Sequence, residues 1–400
     1  MVQIAILGYG VVGSGVFDVL KQNLTHIEKK AGQSIMVKKV LDIRDFSTEL
    51  GSMFTTNFDD ILNDDEIQII AETMGGTEPA YTFVKKALLK GKHVCTSNKE
   101  LVIKHGSELL AIAEERDLNF LFEASVGGGI PVVRPINLAL TTDEIVAISG
   151  ILNGTSNYML TQMNSFGKSY QEALTEAQNL GYAEQDPTAD VGGFDACRKL
   201  AILLSIATGQ QVDYENILTE GISDIEPADF AFARALGFAL KPMVDGRIRK
   251  NGVQAISAPM LVHHSHPLSA VSGVFNGVFV QAKATGDVMF YGQGAGQMPT
   301  AGAVISDIVD IAKHLHRHIV HSWSNDKTAI LPSSDYITRK LVRISYTTKP
   351  DVNAITIELP DYPGQLAWIT DKESEEATAA KLKNYNVKRV LRICEPEVLS

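Results

Sequence analysis

The stretch VQIAILGYGVVGSGVFDVL, residues 2–20, decides the fold of this chain. It opens with VQIAILG, an apolar run of strand length, and runs on into a helical pattern from Gly15 to Lys30. Gly8, Gly10 and Gly13 lie between the two. In a strand, turn and helix of this kind each glycine has its own task. Gly8 permits a tight turn, Gly10 lets the backbone approach a pyrophosphate, and Gly13 permits close packing of helix on strand. Val11 and Val12 belong to the same turn, where a helix N-terminus faces the phosphates. A lone GxGxxG can be a plain glycine-rich turn, but its place after a first strand and before a helix predicts a dinucleotide site.

Working outward, a second strand, IMVKKVLD, ends at Asp42. An acid there can accept from ribose hydroxyls and favour NAD, whereas Arg44, two residues on, can meet a 2'-phosphate and favour NADP. The choice stays open at this point. Strands and helices then alternate through EIQIIAET, PAYTFVKKALLKG, KHVCTSNKELV, HGSELLAIAEERD and NFLFEASVGGG. The alternation predicts an α/β fold with a Rossmann-type doubly wound parallel sheet, whose strand C-terminal ends face the cofactor. Gly75, Gly76, Ser97, Asn98 and Lys99 lie on such loops, and Thr73, Ser97 and Lys99 are expected to bind the cofactor. Lys99 is a candidate cation for substrate or cofactor, its plain alternative being a solvated surface lysine.

Length and composition limit the rest. A chain of 400 residues suggests two or three domains, and 45% hydrophobic with 21% charged residues is ordinary for a soluble globular protein. A net charge of -11 argues against nucleic acid and anionic membranes as partners. Cys95, Cys197 and Cys394 are too scattered for a disulfide framework or a zinc site. No apolar run reaches transmembrane length and the N-terminus lacks the order of a signal peptide, so a cytoplasmic location is expected.

Prolines near residue 130 mark the first expected boundary, giving a nucleotide domain over 1–130. Beyond it, PVVRPINLALTTDEIVAISGILNGTSNYML reads as strands flanked by Asn-Gly turns. Residues 168–206 read as two helices with EQDPTADVGGFDACRKL, residues 184–200, between them. Asp195 and Lys199 are four apart and share a helix face. The apolar LAILLSIA that follows implies a buried helix, so the charged first turn must open into a polar cavity. Glu184, Asp186 and Asp190 arrive from the preceding loop, which Gly192 and Gly193 allow to turn tightly. So many carboxylates near two cations suit a cationic substrate group; the bland alternative is an exposed ion pair beside a solvated acidic loop. Residues 222–290 read as a sheet that continues this second, substrate-binding domain over 131–294. A glycine turn and helix at about 295–320 follow, then a small accessory module over 321–400 with two or three strands and one helix. His314, His316 and His318 alternate by two, which spreads them around a helix and argues against a metal site.

Five ordered motifs, GYAEQDPTADVGGFDACRKL, GILNGTSNYML, FEASVGGGIP, TSNKELV and GQGAGQMPTAGAVISD, closely resemble homoserine dehydrogenase and span most of residues 1–320. The resemblance implies reversible NAD(P)H-dependent reduction of L-aspartate 4-semialdehyde to L-homoserine, on the route to threonine and methionine. It implies Lys199 as proton donor and acceptor, Asp195 as its companion, and Lys99 as a second active-site lysine. Glu184 and Asp190 would receive the substrate ammonium, and the turn at Gly154 and Thr155 its carboxylate. Gly296 would lie near the nicotinamide. Also implied are a helix at 295–320 returning to the nucleotide domain, a homodimer, and a monovalent cation, Na+, held by Glu123, Val126, Gly128 and Ile130. LPDYPGQLAWI resembles the turn of a regulatory ACT domain, although the tail is short for one, so a truncated or divergent ACT-like module is expected. Two other readings stand beside this one: a catalytically silent NAD(P)-binding regulator, and another amino-acid semialdehyde dehydrogenase.

Overall fold

The computed structural model describes residues 1–397. The chain opens with β1 (Val2–Leu7), α1 (Val11–Gln22), α2 (Leu24–Ala31), β2 (Ile35–Leu41), α3 (Ser47–Leu50), β3 (Phe54–Thr55), α4 (Asp59–Leu62) and β4 (Ile67–Glu72). It continues with α5 (Ala80–Leu89), β5 (His93–Thr96), α6 (Lys99–Glu115), β6 (Phe120–Leu121), β7 (Ile145–Ile151), α7 (Gly154–Phe166), α8 (Tyr170–Asn179), α9 (Thr188–Val191) and α10 (Phe194–Thr208). Next come β8 (Gln210–Val212), β9 (Leu218–Thr219), α11 (Pro227–Ala235), β10 (Phe238–Arg249), β11 (Gly252–His263), β12 (Phe275–Ala282), β13 (Gly286–Gln293), α12 (Gln297–Lys313) and β14 (Ser324–Thr328). The tail holds β15 (Lys340–Ser345), β16 (Thr356–Ile357), β17 (Gln365–Ile369), α13 (Glu375–Leu382) and β18 (Asn386–Cys394).

Two units emerge. The first comprises Met1–Thr141, Ala201–Val212 and Gly292–Lys327. Its sheet has the order β3-β2-β1-β4-β5-β6 with every pairing parallel. This is the doubly wound order, and the strand sequence reverses between β1 and β4, where such sheets open a crevice for ligands. α12 packs on α1: Ala301, Val304 and Ile308 join Val16 and Leu20 in one buried cluster. A fully buried Val or Ile contributes about 1.5–3 kcal/mol, enough to hold the returning helix in this unit. The expected break at 130 falls later. Arg134 pairs with Asp307 at 2.6 Å and the Glu123 carboxylate receives the N–H groups of Val132, Val133 and Arg134, which keeps residues 131–141 with the first unit.

The second unit comprises Thr142–Leu200, Asp213–Tyr291 and the chain from Thr328. Its sheet has the order β13-β12-β7-β10-β11-β18-β15-β17-β16. β10 and β11 form a long antiparallel hairpin, and β7 lies between β10 and β12. Three local expectations change. Asn153-Gly154 opens α7 instead of a hairpin, α11 interrupts the stretch read as sheet, and α12 ends at Lys313, so His316 and His318 lie beyond it. The tail does not separate as its own unit, because β18 pairs in parallel with β11 through Met260↔Arg392 and its neighbours. It has four strands where two or three were expected, in the order β18-β15-β17-β16, with α13 between β17 and β18. That is the order of a split β-α-β-β-α-β unit in which a loop over 346–355 replaces the first helix.

Candidate active site

The nucleotide turn follows from backbone constraints. Gly8 has φ +91°, in the left-handed region that favours glycine. A Cβ at Gly13 would lie 1.9 Å from the Gly8 carbonyl oxygen, so no side chain fits there. Thr73 secures the same point, its hydroxyl donating to the Gly8 carbonyl at 2.8 Å. At Gly10 the nearest atom to an added Cβ is an Arg44 nitrogen at 4.0 Å, which leaves room for a ligand. Gly10 caps α1 without a side-chain bond, and no acid stands in the first turn. The N-terminal N–H groups of α1, beginning at Val11 and Val12, therefore suit an anion. These features fit a dinucleotide pyrophosphate.

Asp42 is buried at the edge of this turn. One oxygen accepts from the backbone N–H of Arg44 at 2.9 Å and from its Nε at 3.0 Å. The other accepts from the Tyr9 N–H at 2.7 Å and from Arg44 Nη2 at 3.1 Å. Burial alone would raise its pKa, but the Arg44 guanidinium and the backbone donors hold it down at about 2. A carboxylate has about four acceptor sites, and the chain itself uses four here. The Arg44 side chain remains 59% exposed.

The loops after β4 and β5 share one anchor. Glu72 is fully buried, one oxygen accepting from the Met74 N–H at 2.7 Å and the other from the Thr96 hydroxyl. Burial pushes it up to about 7, against the pull of its donors. Thr96 Oγ1 accepts from the Asn98 N–H at 2.9 Å, Asn98 Nδ2 donates to the Gly76 carbonyl at 2.7 Å, and Asn98 caps α6 through the Leu101 N–H. Ser97 donates its N–H to the Glu72 carbonyl at 3.2 Å. Ser97 and Lys99, the first residue of α6, are thus placed by Glu72.

In the glycine turn after β6 the Glu123 carboxylate is engaged by three N–H groups at 2.6 to 2.9 Å. Any cation contact from Glu123 would therefore come from its main-chain oxygen. Gly128 has φ +57°, and a Cβ at Gly127 would lie 2.4 Å from the Ile130 carbonyl oxygen. A turn this tight crowds carbonyl oxygens of the kind a hard cation accepts. Gly296, with φ +120°, caps α12.

In the second unit the charged stretch condenses into a buried cluster. Gly193, at φ +82°, turns the chain into α10. Lys199 Nζ lies 2.8 Å from Asp195 and donates to the Leu152 carbonyl at 2.9 Å. Asn153 Nδ2 donates to Asp190 at 2.7 Å and to Asp195 at 2.9 Å. Lys199 is 9% and Asp195 4% exposed, so the alternative of a solvent-exposed ion pair falls. Gly154 and Thr155 form the first turn of α7; a Cβ at Gly154 would approach the Val274 carbonyl at 2.9 Å, and the Thr155 hydroxyl donates to the Tyr182 carbonyl at 2.6 Å. Glu184 is exposed, on the loop between α8 and α9. Asp186 serves that loop locally, accepting from the Thr188 N–H. Cys197 and Cys95 are buried, and burial raises both thiols, which suits neither as a nucleophile.

Sequence comparison decides what this arrangement belongs to. The family described as homoserine dehydrogenase, NAD binding domain, matches residues 8–123, and the one described as homoserine dehydrogenase matches residues 131–309. The homoserine dehydrogenase of Lactococcus lactis is 38% identical over 381 residues, covering 94% of this chain and 87% of that protein. The chain belongs to the homoserine dehydrogenase family. The homoserine dehydrogenase of Mycobacterium bovis is 41% identical over 361 residues, covering 88% of this chain and 82% of that protein. A crystal structure of a homoserine dehydrogenase from Thiobacillus denitrificans superposes with a TM-score of 0.89 at 33% identity, covering 98% of both chains.

Homoserine dehydrogenases are NAD(P)-dependent oxidoreductases that interconvert L-aspartate 4-semialdehyde and L-homoserine, and the comparisons support neither the silent regulator nor another semialdehyde dehydrogenase. The cofactor is NAD or NADP. No helix among the described residues is long and apolar enough to cross a membrane. Of the site residues expected from the sequence, Asp190, Asp195 and Lys199 come together in the second unit, while in the first Thr73 and Ser97 stand on loops and Lys99 opens α6. Asn153 and Glu72 escaped the sequence reading. A signal for Asn153 exists, since Asn before a helical pattern is a strong N-cap; nothing local marks Glu72.

Proposed function

We propose that Lys199 is the proton donor in semialdehyde reduction and the proton acceptor in homoserine oxidation. The observation that carries this is the buried contact of its amine with Asp195 and the Leu152 carbonyl, at 2.8 and 2.9 Å. An ammonium has three donors, and these two contacts orient the third for a substrate oxygen. A bound nicotinamide supplies the hydride. Negative charge then develops on the carbonyl oxygen, where Lys199 stabilises it and gives up a proton. Asp190 and Glu184 receive the substrate ammonium, and the N-terminal N–H groups of α7 at Gly154 and Thr155 receive its carboxylate. Lys99, oriented through the Glu72 anchor, is the second cation. Lys199→Ala should lower kcat by orders of magnitude while cofactor affinity changes little; a large loss of cofactor binding would refute the assignment.

The cofactor reading is NADP. Asp42 has its acceptor sites engaged by Tyr9 and Arg44, which leaves little capacity for ribose hydroxyls, while the Arg44 guanidinium is exposed for a 2'-phosphate. Gly296 approaches the nicotinamide end. Main-chain oxygens of Glu123, Val126, Gly128 and Ile130 suit a sodium ion, and a rise in melting temperature in sodium chloride over choline chloride would support it. The resemblance further favours a cytoplasmic homodimer, which light scattering on the purified chain checks.

A further inference from the structure

We infer that Asn153 is a positioning residue whose single amide holds Asp190 and Asp195 in register, tying the site of the substrate ammonium to the site of proton transfer. The inference rests on the roles proposed above for Asp190 and Lys199. Asn153 is 5% exposed and stands in the two-residue turn between β7, a strand paired on both sides by β10 and β12, and α7, whose N-terminus it caps. Such a position is rigid, and a side chain carried on it has little freedom to drift.

The orientation of the amide is fixed by its own partners. Oδ1 accepts from the Ser156 N–H at 2.8 Å and lies 3.0 Å from the Ser156 hydroxyl. The opposite end must therefore be the donor, and Nδ2 reaches Asp190 at 2.7 Å and Asp195 at 2.9 Å. A flipped amide would set its oxygen against two carboxylates and its NH₂ against a helix N–H. Two carboxylates held by one amide nitrogen, Asp195 buried and Asp190 half-buried, repel each other, and a shared neutral donor offsets that without introducing a competing cation. The Asp195 oxygen that receives Asn153 also receives Lys199 at 2.8 Å. The residue before, Leu152, supplies the carbonyl that takes the same amine at 2.9 Å. The two successive residues that join β7 to α7 thus fix the lysine directly and through its acid. A shift of the amide would move the ammonium acceptor and the proton donor together.

The capping role of Asn153 has to be separated from its bridging role. Ser and Asp are both good N-caps, so Asn153→Ser and Asn153→Asp preserve the start of α7 while removing the amide donor. Steady-state homoserine oxidation with NADP+, homoserine binding by calorimetry and melting temperature are measured for wild type and both variants. Asn153→Ser should lower kcat/KM for homoserine ~10- to 100-fold, with both kcat and homoserine affinity reduced and the KM for NADP+ held within about twofold. Asn153→Asp should lose more, since it adds a third carboxylate. Values for Asn153→Ser within about threefold of wild type, an Asn153→Asp no worse than Asn153→Ser, or an equal loss in the NADP+ KM would each overturn the inference. Should Asn153→Ser fail to fold, the charge-bearing variant carries the test alone, and homoserine turnover close to wild type refutes it. A wild type that does not oxidise homoserine would instead sink the proposed reaction.

Discussion

Replacing Glu72 by glutamine should remove a pH dependence of stability that the wild-type chain carries near neutrality. Glu72 is fully buried at the end of β4, and burial lifts its carboxyl from an ordinary 4.5 to about 7 despite donors from Thr96, Met74 and Asn98. Between those values the folded chain keeps a proton here that the unfolded chain has released. The stabilisation from this group is thus fully present below about pH 4.5 and is lost as pH rises through 7. The difference between the two values converts to ~3 kcal/mol lost by pH 8, an order-of-magnitude figure. A glutamine side chain at this position keeps the shape, can accept from the Met74 N–H and can donate to Thr96, but does not titrate. Urea unfolding of both proteins should be followed from pH 5 to 8 by a signal from the first unit. The stability of Glu72→Gln relative to wild type should climb by up to about 1.4 kcal/mol per pH unit across the window and level off above 7. Asp307, whose pKa burial also raises, is present in both proteins and cancels in the difference. A relative stability that is flat from pH 5 to 8 would show that Glu72 holds no extra proton. One that falls with pH would show the carboxylate to be stabilised as an ion.

Gly13→Ala should abolish NADP+ binding by fluorescence titration, because its Cβ would sit 1.9 Å from the Gly8 carbonyl oxygen; unaltered affinity would mean that the turn relaxes at no cost. Arg44→Ala should raise the KM for NADP+ by ~10-fold or more and leave that for NAD+ nearly unchanged, as expected for loss of a charge-assisted phosphate contact. Equal losses with both cofactors would point instead to Arg44 as a support for Asp42 and the Tyr9 turn.

Much of the first unit was legible because glycine requirements are local. Gly8 needs its positive φ and Gly13 its missing Cβ whatever surrounds them, so GYGVVG announces a strand, a turn and a helix within a short stretch of chain. The Asp195–Lys199 pair was legible for a similar reason, since a spacing of four in a helix guarantees a shared face. Asp42 shows the limit of such reading. Its place at the end of β2 suggested an acceptor for ribose, yet Arg44 folds back over two residues and takes that capacity. Spacing placed both residues at the edge of the turn, and only geometry shows that they satisfy each other.

The misread elements share one physical cause, in that each depends on partners distant in sequence. Asn-Gly is the strongest short signal for a hairpin, and Asn is also among the best N-caps. What separates the two readings at Asn153 is the buried helix that follows and two carboxylates 37 and 42 residues away. Glu72 looks like the polar end of a strand until β5 brings Thr96 against it. The tail is the extreme case. β18 closes an antiparallel set with β15, yet its other edge pairs in parallel with β11, so that Met260 meets Arg392. Arg392 carries that junction further, reaching Glu220 at 2.7 and 2.9 Å and Glu375 at 2.8 Å. A parallel contact of this range has no turn to announce it and no local periodicity to fix its register. A reading of 321–400 as a free-standing module follows from local pattern alone, and the pairing of β18 with β11 is what makes those strands part of the second unit's sheet.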